Sequence, residues 1–104
     1  MNNLFNNLPE QLPQEAFTDL LNAGSVRIER ILSKGQASPE SGWYDQDEHE
    51  WVILLQGAAE LTFASGEVVR LESGDYLNIP AHTSHRVSWT DPSHLTVWLA
   101  VFYR

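Results

Sequence analysis

The sequence predicts an all-β domain, a sandwich or barrel of about eight short strands preceded by one short helix. Three observations carry this. Apolar and polar residues alternate with period two over most of the chain after Gly24. Gly, Pro and Asp turn signals break the chain at regular intervals. Apolar residues are 42% of the 104 residues, enough for one modest core.

The elements follow in order. Residues 1–12 are Asn-rich with Pro9 and Pro13 nearby, which predicts an irregular arm. Over 13–22 the spacing predicts a helix: Pro13 suits a first turn, Glu15 the positive end, and Phe17, Leu20 and Leu21 recur at i, i+3, i+4 before Gly24. The chain thus divides into an arm and helix over 1–24 and a barrel over 25–104.

Val26 and Ile28 alternate with Arg27 and Glu29, the pattern of a half-buried strand. A loop over 34–42 carries Gly35, Pro39 and Gly42. Trp51–Leu55 is a continuous apolar run that Gly57 ends, and Leu61 and Phe63 share one face of the next strand. Ser65-Gly66 is a tight hairpin signal. Strands within 68–75, 76–80 and 85–89 follow, and a turn over 90–93 leads into the last. That strand is apolar on both faces: Val97, Leu99 and Val101 on one, Trp98, Ala100 and Phe102 on the other. Burial on both sides predicts a second sheet or a partner subunit, hence a homodimer.

Fourteen acids against six bases give a net charge of −8, which argues against nucleic acid and against anionic membranes. Without cysteine there are no disulfides, no thiolate chemistry and no sulfur-ligated metal. The N-terminus has neither the basic segment nor the apolar run of a signal peptide, and no stretch approaches a membrane span, so a cytoplasmic location is expected.

The chemistry concentrates in two stretches. Gly74-x5-Pro80-x-His82-x2-His85 resembles the second motif of the cupin superfamily, G-x5-P-x-G-x2-H-x3-N; His82 stands for the motif's last glycine and Trp89 for its asparagine. Glu50-x6-Gly57 is similar to the end of the first motif, G-x5-H-x-H-x3–4-E-x6-G, whose two histidines are replaced by Tyr44 and Gln46. The motifs span about 42–89, and the flanking strands extend the likeness to about 25–103.

The resemblance implies a jelly-roll β-barrel that binds a small molecule. It also implies a divalent transition metal (Zn, Fe, Mn or Ni) on a reduced ligand set: Glu50 and His85, with Gln46 or His82. Without metal, Glu50 and His85 are a candidate acid–base pair for a sugar-type isomerase or epimerase: desolvation raises the proton affinity of Glu50, and a neighbouring His85 opposes it. A ligand-binding or sensing module is a third reading. Trp43, Tyr44 and Trp89 are candidate ligand-binding aromatics. His82 also suits a turn residue that caps its strand. His49 next to Glu50 falls on the opposite face of a strand. Asp45, Asp47 and Glu48 fit a solvated loop, because the calcium-loop pattern fails at its sixth and twelfth positions. His94 is expected at a rim.

Overall fold

A computed structural model describes residues 1–39 and 42–104. They form eight strands: β1 (Ala16–Ala23), β2 (Val26–Ser33), β3 (His49–Gln56), β4 (Ala58–Phe63), β5 (Val68–Glu72), β6 (Tyr76–Ile79), β7 (His85–Thr90) and β8 (Thr96–Tyr103). A five-stranded sheet runs β1-β2-β8-β3-β6, and a three-stranded sheet runs β5-β4-β7. Every pairing is antiparallel. The core lies between the sheets, with Val52, Leu54, Ala59, Leu61, Leu71 and Trp98 buried in it.

The expected helix over 13–22 is a strand. β1 is an edge strand paired with β2 along most of its length, and Gly24 turns the chain into β2 rather than ending a helix. Its φ of 59° suits the first central position of a two-residue hairpin loop. A break in register between Asp19 and Leu21 explains the misleading spacing. One extra residue there sets Phe17 and Leu21 on opposite faces of the sheet, although their separation of four matches a helix stripe. Isolated helices this short are marginal in water, so ladder pairing with β2 prevails.

The strand Val26–Ser33 is also reversed relative to its predicted face. Arg27, Glu29 and Ile31 share the inner face with Phe102, Ala100 and Trp98 of β8, whereas Ile28 and Arg30 share the outer face with Val101 and Leu99. The alternation marks a strand but not which side is wet. Here the inner side carries charge because it lines a cavity.

Two glycines fix the turns that bring the motifs together. Gly66 (φ 97°) closes the β4–β5 hairpin, where the Phe63 amide bonds the Glu67 carbonyl at 2.9 Å. Gly57 (φ 95°) lies against β8, where an added Cβ would come within 2.6 Å of the Thr96 Cα. No helix of the described residues is long and apolar enough to cross a membrane.

Candidate functional site

Register places the inner-face side chains in rows across the large sheet. The first row is Arg27–Phe102–Glu50–Ile79, and the second is Glu29–Ala100–Val52–Leu77. On the small sheet, Phe63 pairs with His85 and Leu61 with Val87. Glu50 and His85 therefore face each other from opposite sheets. The loop before β3 closes this end: Tyr44 and His85 form an isolated β-bridge, with the Tyr44 amide donating to the His85 carbonyl at 2.7 Å and the His85 amide to the Tyr44 carbonyl at 3.1 Å. The His82 amide also donates to the Gln46 carbonyl at 2.9 Å.

These elements enclose a cavity of about 220 Å³. One end carries Tyr44, Gln46, Glu50 and His85, with Arg27 in the same row of the large sheet as Glu50; Glu29 stands in the next row and Glu15 lies beyond it; Val52, Leu61, Ile79, Val87, Trp98 and Phe102 supply apolar wall. The volume falls below the roughly 300–1,000 Å³ usual for ligand pockets, which limits the occupant to a small molecule.

His85 is held in one orientation. Its ring is buried, with 5% of the side chain exposed, and sits 5.8 Å from the Tyr44 ring and 6.0 Å from the Phe63 ring. Nδ1 lies 2.8 Å from the Thr83 carbonyl oxygen. A carbonyl only accepts, so Nδ1 carries the proton and Nε2 is the nitrogen free to gain or lose one. Nε2 lies 3.6 Å from Glu50 Oε1, which also accepts from Gln46 Nε2 at 3.2 Å. Burial by itself depresses the imidazole pKa, but the Glu50 carboxylate and the Thr83 carbonyl together outweigh it and raise His85 above its usual value.

At the far end Glu15 Oε2 accepts from Ser33 Oγ at 2.6 Å, and Ser33 Oγ accepts from Trp98 Nε1 at 3.1 Å. Burial raises the Glu15 pKa and the Ser33 hydroxyl only partly offsets this. Arg27 bonds Glu29 at 3.4 Å and Glu48 at 3.1 Å, and its guanidinium lies 4.3 Å from the Phe102 ring centroid.

Of the residues singled out from sequence, the cavity brings together Tyr44, Gln46, Glu50 and His85. It leaves out three. His82 is exposed in the β6–β7 turn, with Nδ1 2.7 Å from Asp45 and Nε2 3.3 Å from Asp47. Its φ of 61° explains why the related motif has glycine at this position. Trp89 pairs with Glu60 on the outer face of the small sheet and packs under Arg70. Trp43 is exposed at the rim beside Arg86. His49 lies on the outer face as expected, its ring tilted against that of Tyr103 and accepting from the Ala81 amide at 2.9 Å. Sequence reasoning missed Glu15, Arg27 and Glu29. For Arg27 and Glu29 the signal was the phase change inside β2, where Ile28 and Ile31 cannot share a face.

The donor set does not fit a tightly held transition metal. Among the described residues no group of three or more His, Asp and Glu side chains converges on one point. Glu50 and His85 are two strong donors, and the amide oxygen of Gln46 is a weak third.

The fold, the two motifs and this cavity define a cupin barrel, and the comparison with known families agrees. The cupin-domain family matches residues 29–102, and the chain belongs to it. A proposed mannose-6-phosphate isomerase from Ralstonia eutropha JMP134 has a similar structure, with 43% identity and a TM-score of 0.94 over 99% of this chain and 96% of that one. A cupin superfamily protein from Desulfitobacterium hafniense DCB-2 shares the fold at 20% identity, TM-score 0.76, over 92% of this chain and 83% of that one. The quercetin 2,3-dioxygenase of Bacillus subtilis is 42% identical over 66 residues, 64% of this chain but only 19% of the dioxygenase. The match thus spans about a fifth of that relative's length.

Proposed function

We propose that the barrel binds a small carbonyl compound and moves protons on it as an isomerase or epimerase, with Glu50 and His85 as the acid–base pair. The observation that carries this reading is the pair itself: a buried imidazole, pinned at Nδ1, presents Nε2 to a carboxylate 3.6 Å away inside an apolar cavity. The isomerase name of the 43% identical neighbour supports it.

The step balances without a cofactor. Glu50 takes the proton from the carbon next to the carbonyl while His85 Nε2 gives a proton to the carbonyl oxygen, and an enediol forms. Glu50 then returns its proton to the former carbonyl carbon, and Nε2 recovers one from the other hydroxyl. Tyr44 and Phe63 limit the motion of the imidazole. Gln46 fixes Glu50 Oε1.

Incubation with small aldoses and ketoses in D2O tests the reading by NMR. Deuterium should enter at the carbon beside the carbonyl. Glu50→Gln and His85→Ala should each slow this by about 10²–10⁴-fold. Exchange that Glu50→Gln leaves untouched would sink the assignment.

A second reading rests on Gln46, Glu50 and His85 sharing one wall: a divalent metal held weakly there. The family likeness to a dioxygenase favours it. Chelator-treated protein distinguishes the two. Exchange that persists supports the metal-free pair, whereas saturable uptake of Mn, Fe, Ni or Zn that disappears in Glu50→Gln supports the metal.

A further inference from the structure

The cavity's hydrogen-bonding inventory constrains what can occupy it. Three carboxylates line it, Glu15, Glu29 and Glu50, against one guanidinium, Arg27. Arg27 is already engaged by Glu29 and Glu48 and packs on the Phe102 ring. Among the described residues no lysine and no second arginine reaches the cavity. Nor is any element of the described fold a helix, so no helix N-terminus offers amides to an anion.

The free polar atoms are mostly acceptors. Ser33 occupies one oxygen of Glu15, and Arg27 one oxygen of Glu29. Among the described residues, Glu15 Oε1, Glu29 Oε2 and the side-chain oxygen of Gln46 take part in no hydrogen bond or ion pair of the fold. His85 is the independent sign that the space is made for a ligand. It is more than nine-tenths buried, and its Nε2 points into the cavity without a hydrogen bond, 3.6 Å from the nearest carboxylate oxygen.

A wall of acceptors calls for a ligand rich in donors. Hydroxyls supply donors without charge, and their carbon skeleton can lie on Trp98 and Phe102. A phosphate supplies only acceptors and negative charge, and buried like charges repel strongly. An ammonium finds no uncompensated carboxylate: Glu29 is paired with Arg27, Glu50 faces His85, and burial favours the neutral form of Glu15.

We infer that the cavity takes an uncharged, polyhydroxylated carbonyl compound of about monosaccharide size and rejects its phosphate ester. This deepens the acid–base reading of Glu50 and His85 and rests on it for the carbonyl. It also separates this chain from the substrate in the name of its 43% identical neighbour.

The test is a matched pair, mannose and mannose 6-phosphate, titrated against tryptophan fluorescence and by calorimetry at constant ionic strength, with glucosamine as a cationic third. Mannose should bind at least about tenfold more tightly than its phosphate, a gap of roughly 1.4 kcal/mol. Glu29→Gln and Glu15→Gln keep the side-chain shape and should each narrow that ratio; thermal unfolding of both checks that they fold. Equal or tighter binding of the phosphate overturns the inference, as does glucosamine binding more than about tenfold tighter than mannose. Saturable binding of none of the three also overturns it. D2O exchange separates the two claims. Selective mannose binding without exchange removes the acid–base reading and leaves the selectivity. Exchange on both sugars with no preference does the reverse.

Discussion

At the scale of the residue, His85 joins the two motifs. The Thr83 carbonyl selects its tautomer and Glu50 selects its charge. Its pKa is raised in the fold above the reference value of 6.5. The sign follows from proton linkage: between the unfolded and folded values, the native state holds the extra proton. His85 therefore stabilises the fold fully below pH 6.5, and this contribution is lost as pH rises through the folded pKa. Urea unfolding from pH 6 to pH 9 should show that decline in the wild type and a flatter profile in His85→Ala. Ser33 is the second residue on which the cavity depends, because its hydroxyl links Trp98 to Glu15. Ser33→Ala leaves a buried indole N–H and a carboxylate without this partner, and should cost about 1–3 kcal/mol in denaturant unfolding.

Elements decide which of these residues meet. Glu50 reaches the cavity because β3 lies between β8 and β6, and His85 because β7 pairs with β4. Gly57 lets β3 turn into β4 against Thr96. Gly57→Ala combines a positive φ with a backbone clash, so it should lose at least about 1–2 kcal/mol and lower the unfolding midpoint. At this scale the sequence was legible where pattern and turn chemistry agree. The Ser65-Gly66 hairpin, the two-faced strand β8 and the Glu50 and His85 positions all follow from local rules or the motif spacing. β1 was not legible, because a bulge near Leu20 imitates a helical stripe and only pairing with β2 reveals it. Arg27 and Glu29 were hidden for a related reason. Alternation cannot say which face of a strand is the inside when the inside is a polar cavity.

At the scale of the whole molecule, the outer face of the large sheet carries an apolar patch bordered by Arg30, His49 and Asn78. Ile28, Val101 and Trp51 align across it, followed by Leu99 and Ile53, with Tyr76 exposed at the end. The expected homodimer would use this face, since an isologous contact matches an apolar patch with itself. Light scattering should give a dimer mass, and Leu99→Glu should return the monomer with the cavity intact. A monomer mass for the wild type at high micromolar concentration would remove this proposal. The charge of −8 extends into the cavity, where carboxylates outnumber the single guanidinium.

The central claim is that Glu50 and His85 act as one proton-handling unit, and ¹⁵N NMR of the His85 ring during a pH titration tests it most directly. The account predicts that Nδ1 stays protonated throughout, that Nε2 titrates above pH 6.5, and that Glu50→Gln moves this titration downward. A neutral ring protonated at Nε2, or a titration that Glu50→Gln leaves in place, would contradict it.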